Sequence, residues 1–246
     1  MEQPATKNDI IQRLQQEILS MQGLKRSVRG HRMVAGIQPI ELAFPQKIFP
    51  TGAVHEFLSY GAEDAAATNG FMSGLLGGLM QGGATTLWIG NKRTIFPPAL
   101  KFFGVDPNRI IFVDLKRPRD VLWAIEEALK CASLGAVIGE LKELTFTESR
   151  RLQLAVEQSQ VTGFIHRSNP ASENTVACVS RWKIKPLSSA AEDGLPGVGF
   201  PRWNVELLKV RNGKPGAWQF EWAAGSFRHI TGEPLAIPSI QKRKIG

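Results

Sequence analysis

The sequence predicts an α/β fold: a mostly parallel sheet flanked by helices, with an antiparallel C-terminal extension and a helix at the N-terminus. Three observations predict it. Between residues 54 and 166, short β-type runs alternate with helical patterns at the spacing of βαβ units. From residue 175, strand-like runs bounded by Pro, Gly and Ser follow one another with no helical pattern between them. Hydrophobic residues make up 43% of the 246, enough for a buried core without covalent staples.

The elements follow in order. Ile10, Ile11, Leu14, Ile18, Leu19 and Met21 form one apolar face of a helix over 7–22, which Gly23 stops. Residues 24–46 are basic and carry the turn residues Gly30, Gly36 and Pro39, the pattern of a linker or wrapping arm. Val54 to Leu58 reads as a strand, Gly61 to Asn69 as a small-residue loop, and 70–81 as a helix. Thr85 to Ile89, Ile110 to Val113, Ala136 to Ile138 and Gly163 to His166 read as strands. Between them, Pro97 to Phe103 reads as a short helix, and Pro118 to Ser133 and Phe146 to Gln160 as longer ones. Thr175 to Ile184, Trp203 to Arg211 and Trp218 to Trp222 are the antiparallel strands, with an exposed loop over Pro186 to Pro201. The chain divides into an N-terminal helix and basic arm (1–47), a core (48–224) and a basic tail (225–246) expected to be flexible.

The formal net charge of +8 points to nucleic acid or an acidic protein as a partner, against the plainer alternative of a basic soluble surface. Basic residues cluster at Lys25, Arg26, Arg29 and Arg32, at Arg181, Lys183 and Lys185, and at Lys242, Arg243 and Lys244. No apolar run approaches the ~20 residues that cross a bilayer, and Met1 to Asp9 is polar, so a cytoplasmic protein with no membrane partner is expected. Cys131 and Cys178 read as buried reduced thiols. His31, His55, His166 and His229 lack ligand spacing, so no metal is expected.

A strand, a loop and a helix over 54–81 are the setting of a phosphate-binding loop, where glycines let backbone N–H groups converge and a lysine reaches the phosphates. Set against G-x-x-x-x-G-K-[ST], Gly61 and Thr68 fit, but Ala66 replaces the second glycine and Ala67 the lysine. Glu63 and Asp64 add negative charge that at ~4–6 Å opposes a triphosphate. No nucleotide or other cofactor is expected, and an ordinary strand–turn–helix is the plainer reading of these residues.

Several segments resemble the nucleotide core of the RecA recombinases: Phe49 to Glu56, Thr85 to Ile89, Phe103 to Ile110, Gly135 to Glu140, and Val205 to Asn212. The chain more closely resembles the ImuA family, RecA-like accessory proteins of bacterial mutagenic translesion synthesis. That resemblance is carried by Val54-His55-Glu56 before the degenerate loop, Ser180-Arg181-Trp182-Lys183-Ile184, the stretch Gly197 to Arg211, and Trp218-Gln219-Phe220-Glu221-Trp222. It implies a RecA-like P-loop NTPase-type core. It also implies partnership with an inactive Y-family polymerase homologue of the ImuB type, with RecA and with a C-family error-prone polymerase, and induction by DNA damage.

Within the recombinase comparison, Glu140 stands at the metal-coordinating acid, Lys92 nearest the catalytic glutamate, and Arg167 in place of the γ-phosphate-sensing glutamine. The stretches 141–162 and 168–174 are short where recombinases carry mobile DNA loops. Lysine, glutamate and glutamine do separate jobs in phosphoryl transfer, so joint loss predicts no ATPase activity and no catalytic residue. Arg181, Trp182, Lys183, Arg202, Trp203, Lys209 and Arg211 are candidate DNA or partner contacts, the DNA contact being weak. Strand alternation offers the other reading, with each Trp packed inward and each Arg outward. The expected function is a noncatalytic factor in SOS-induced translesion synthesis that works by protein contact, nucleoid-associated when bound. The alternatives are an active RecA-like ATPase, a plain DNA-binding module, or a cell-division inhibitor of the SulA sort, which FtsZ binding would reveal.

Overall fold

The computed structural model describes residues 35–189 and 199–231. The expected helix over 7–22, the basic clusters at 25–32 and 242–244, and most of the loop over 186–201 lie outside them.

The strands are β1 (Val54–Ser59), β2 (Thr85–Gly90), β3 (Ile110–Asp114), β4 (Leu134–Leu141), β5 (Thr162–Ser168), β6 (Ser180–Leu187), β7 (Arg202–Val210), β8 (Gly216–Ala223) and β9 (Ser226–His229). The helices are α1 (Gln38–Glu41), α2 (Ala62–Leu79), α3 (Pro118–Leu129) and α4 (Phe146–Ser159), with 3-10 turns at Pro97–Phe103 and Pro107–Arg109. All nine strands join one sheet in the order β3-β2-β4-β5-β1-β6-β7-β8-β9. The six strands from β3 to β6 in that order run parallel; β7, β8 and β9 extend the sheet antiparallel. This is the architecture expected of a RecA-like core.

Parallel strands are covered on both faces, and β1 is buried at all six positions although His55, Glu56 and Ser59 interrupt its apolar residues. The two faces differ in chemistry. One is aromatic: Phe57, Phe164, Trp182 and Trp203 pack against Phe71 and Leu75 of α2. Trp182 is fully buried, lying 6.1 Å from Phe57 and 6.2 Å from Phe49, with interplanar angles of 14° and 23°. The other face is aliphatic, with Val54, Val137 and Ile165 under Val121 and Ile125 of α3 and Leu152 and Val156 of α4. Helix α4 opens on a capping box: the Thr145 hydroxyl accepts the Glu148 amide at 3.3 Å, and Glu148 accepts the Thr145 amide at 2.7 Å.

Five expectations need correction. The loop over 61–69 does not exist, because α2 begins at Ala62. The basic arm is not a detached linker in its described part: Ile37, Ile40, Ala43 and Phe44 are buried in the aromatic core. The strand expected from Thr175 begins at Ser180, although Val176 to Val179 are buried. The tail expected from 225 contains β9, whose Phe227 is buried against Phe71 and Trp222. Cys131 is exposed beyond the end of α3, while Cys178 is buried as expected. The arm and β9 hold each other: the Phe227 amide donates to the Ala35 carbonyl at 3.2 Å. Gly36 has φ +93°, and a Cβ there would overlap the Phe227 carbonyl.

Trp182 stacks between two rings and has no exposed atom to relax toward water, so Trp182→Ala should cost about 3–5 kcal/mol. A urea titration should show the unfolding free energy falling by that amount, with Trp182→Phe losing distinctly less. Equal losses would mean that volume at this point is not what holds the aromatic face.

Candidate functional site

In open α/β sheets, ligands bind outside the carboxyl ends of the parallel strands. Here that edge is reached through the β1–α2 junction. Only Tyr60 and Gly61 separate the two elements. Gly61 is the N-cap, extended at φ −142° and ψ 170°, and Glu63, Asp64, Ala66, Ala67 and Thr68 are all helical. The local chemistry explains why. Ala62, Ala65, Ala66 and Ala67 are the best helix formers, and carboxylates in a first turn favour the positive end of the helix. Asp64 accepts the Tyr60 amide at 3.4 Å. The protein's own acids therefore occupy the helix end at which a phosphate would sit. Thr68 is buried, and its hydroxyl has no hydrogen-bond partner among the described residues.

Beside this junction lies a buried ion cluster. Glu56 of β1, Arg167 of β5 and Arg181 of β6 sit on three adjacent strands. Arg167 Nη1 donates to Glu56 Oε1 at 2.8 Å, and Arg181 Nε to Glu56 Oε2 at 2.5 Å. Glu56 and Arg167 are wholly buried and Arg181 nearly so. Other guanidinium protons are used as well. Arg167 donates to the carbonyls of Lys142 and Ser172 and to Glu143 Oε2 at 3.3 Å. Arg181 donates to the carbonyls of Glu173 and Asn174. The cluster thus ties the chain between β5 and β6 down onto the sheet. Tyr60 donates to Glu173 Oε1 at 2.5 Å, and the Lys183 ammonium lies 4.8 Å from the centre of the Tyr60 ring. Desolvation, with that hydrogen bond, pushes the Tyr60 phenol up to about 12.

Glu140 ends near the carboxyl edge of β4. It accepts from Trp88 Nε1 at 2.7 Å and from the Thr94 hydroxyl at 3.3 Å. Burial raises its pKa, against the effect of those two donors. A Cβ on Gly90 would come within 3.1 Å of Glu140 Oε2, so glycine there leaves room for this carboxylate. Ser59 Oγ and His166 Nε2 share a hydrogen bond of 2.8 Å at the ends of β1 and β5. Such a pair resembles an activated nucleophile. Ser59 is only 1% exposed, however, and His166 Nδ1 has no partner among the described residues to orient it.

The sequence-predicted contact residues are committed elsewhere. Trp182 and Trp203 are buried in the aromatic core, so they cannot stack on a base. Arg181 is not turned outward to solvent but buried on Glu56, which corrects the alternation reading for that residue. Lys183 is half-buried over Tyr60. Arg202 Nε donates to Glu221 Oε1 at 2.7 Å. Lys209 donates to the Val176 carbonyl and Arg211 to the Ala177 carbonyl, each at 2.9 Å. Arg181, Lys209 and Arg211 tie the sheet to its covering chain, and Arg202 is paired within the sheet, while Lys183, Arg202, Lys209 and Arg211 keep part of their surface exposed.

A cavity of about 650 Å³ lies between α2, the turn at Pro97–Phe103 and the β6–β7 end. Glu63, Ala66 and Ala67 line it, with Asn69, Phe103 and Trp203. Its charged lining residues are Glu63 and Arg202, and Arg202 is held by Glu221. Among the described residues it therefore presents no free cation to a phosphate. Sequence reasoning missed Glu56 as a centre. The signal was present: a glutamate inside the apolar run Val54 to Leu58 demands a cation on a neighbouring strand.

No family model matches the chain. Two curated relatives do: protein ImuA of Caulobacter vibrioides (strain NA1000 / CB15N) and protein ImuA of Caulobacter vibrioides (strain ATCC 19089 / CIP 103742 / CB 15). Each is 33% identical over 195 residues, covering 74% of this chain and 80% of the relative.

Two outcomes are expected from this geometry. Glu56→Gln leaves two buried guanidiniums without their shared anion and should destabilise the protein by about 3–5 kcal/mol. Replacing Glu56, Arg167 and Arg181 together by Met, Met and Leu should cost much less in the same urea titrations. The second outcome concerns acid. Burial pushes His55 and His166 from 6.5 down to about 4. Their contribution is complete above pH 6.5 and is lost as pH falls toward 4, at up to about 1.4 kcal/mol per pH unit for each ring. Unfolding free energies measured across that window should slope accordingly, and His166→Gln should remove about half of the slope.

Proposed function

The chain belongs to the ImuA family, and on that premise we propose that it is a noncatalytic RecA-like accessory factor in SOS-induced mutagenic translesion DNA synthesis. It acts by protein contact. Its partners are RecA, an inactive Y-family polymerase homologue of the ImuB type and a C-family error-prone polymerase. It works in the cytoplasm, at the nucleoid when bound.

The observation that carries the noncatalytic part is the β1–α2 junction. A phosphate loop needs a run of backbone amides free of secondary structure, and here two residues connect strand to helix. The helix end is faced by Glu63 and Asp64, and the neighbouring guanidiniums of Arg167 and Arg181 are spent on Glu56. An attacking water needs a positioned base and a charge clamp. Lys92 stands exposed where the base would fall, and Glu140 is already held by Trp88 and Thr94. What remains is a RecA-type sheet and its helix faces, the surfaces by which such a subunit mimics a recombinase protomer without a nucleotide cycle. The segments proposed for partner contact are the helix around Ile10, Leu14 and Ile18, which lies outside the described residues, and the region after Trp222, which opens with β9.

The test has two arms. Calorimetric titration of the full chain with Mg·ATP should give no saturable binding below about 1 mM, the upper end of ordinary substrate affinities, and no phosphate release. Co-purification from damaged cells should recover the polymerase homologue and RecA, and loss of residues 1–24 should weaken that recovery. Micromolar ATP affinity with steady turnover would overturn the noncatalytic reading, and an undiminished set of partners without 1–24 would overturn the first contact segment.

A further inference from the structure

The cations of this protein fall into two populations. Among the described residues one group is engaged, such as Arg109 with Asp106, Lys130 with Glu126 and Glu127, Arg151 with Glu126, and Arg202 and Arg228 with Glu221. Lys92, Lys116, Arg117 and Arg119 are exposed, and none has a hydrogen bond or ion pair among the described residues. The side chains of Lys47, Lys101, Lys142, Lys185 and Lys214 are also exposed and unpaired among the described residues, each alone on its own segment, whereas these four lie on adjoining segments. β2 and β3 are neighbours in parallel register, with Gly90 opposite Asp114. The Leu115 amide donates to the Gly90 carbonyl at 2.8 Å, so the two chain segments leave the sheet side by side. Lys92 follows β2; Lys116 and Arg117 follow β3; Arg119 lies in the first turn of α3. Arg93 completes the group. It is held in place by Asp114 at 2.8 Å and by the Phe112 ring at 4.7 Å. Asp114 is thereby engaged, which leaves Asp120, half-buried, as the other acid of this segment.

One turn along α3 from Arg119 is Trp123, 63% exposed. An i,i+4 pair shares one helix face. That face points away from the sheet, because the core contacts of α3 come from Val121, Ile125, Ala128 and Leu129. Trp123 takes part in no ring contact among the described residues, whereas the five other tryptophans are buried or packed on the aromatic core. Trp123 is a large flat ring in water beside a run of unpaired cations. Its chemistry is that of a stacking platform flanked by phosphate contacts.

We propose that the surface formed by Lys92, Lys116, Arg117, Arg119 and Trp123 binds single-stranded nucleic acid, with the cations tracking phosphates and Trp123 stacking on a base. This goes beyond the accessory-factor reading and does not rest on it. Loss of this binding would leave partner recovery untouched, and loss of partners would leave this binding intact.

The test uses the full chain and a fluorescein-labelled dT20 read by anisotropy over a range of NaCl concentrations. K92Q/K116Q/R117Q/R119Q should weaken binding at least tenfold at moderate salt and flatten the log K against log[salt] slope by about 3, as expected for four lost phosphate contacts to a single strand. Trp123→Ala should weaken binding about tenfold with the slope unchanged, within the range for one stacked base. Both variants change exposed side chains, and their urea midpoints should match the parent's. The charge-matched control K47Q/K101Q/K185Q/K214Q, which also removes four exposed cations, should stay within about twofold of the parent. An equal loss in the control, or no loss in Trp123→Ala, would overturn the proposal. So would competition by a poly-glutamate peptide as effective as by unlabelled dT20, which would mark the surface as an acidic-protein site.

Discussion

The structure turns on one buried carboxylate. Glu56 lies in the central strand of the nine-stranded sheet, out of water, where an isolated charge would be strongly disfavoured. Arg167 and Arg181 meet its two oxygens from the strands on either side. That arrangement fixes more than a local contact. The same guanidiniums collect four backbone carbonyls and Glu143, so the segment between β5 and β6 is drawn over the sheet and the end of β4 is locked to it. Groups that could have faced a polyanionic ligand are turned inward. Whether such a cluster adds net stability over apolar packing depends on geometry, but removing one member is costly.

The division of the sheet into an aromatic and an aliphatic face has a related logic. Helix α2 is rich in small residues on the sheet side, and Gly70 and Gly74 let Trp203, Trp222 and Phe227 approach its backbone closely. Large rings from the antiparallel strands fill that space. The opposite face carries α3 and α4, whose Val, Ile and Leu side chains interlock with a flat parallel surface. The antiparallel extension is therefore continuous with the core: its tryptophans complete the packing begun by β1 and α2.

Much of this was legible in the amino-acid order, and the failures have physical reasons. The parallel strands stood out because burial on both faces leaves short runs such as Thr85–Gly90 and Ile110–Asp114 largely apolar. The start of α2 was misread because a phosphate-loop template was laid over Gly61 to Thr68, although three consecutive alanines argued for helix. The repulsive sign of Glu63 and Asp64 was readable; their service to the helix end was not, since that requires knowing where the helix begins. The ion cluster was hidden because Glu56, Arg167 and Arg181 are more than 100 residues apart for two of the pairings, and only strand order makes them neighbours. β9 escaped because four residues after a glycine turn carry too little pattern. The exposed cations around Lys116 were overlooked in favour of richer runs, and a side chain's lack of a partner cannot be read from order alone.

The clasp between Ala35 and Phe227 has a mechanical side. The first and last described segments meet at the outer strand of the sheet, with β9 lying between that meeting point and the rest. Tension applied at the first and last described residues would enter at this corner and peel one short strand open bond by bond. The parallel strands, and the charges buried among them, would carry none of the load until that seam had parted.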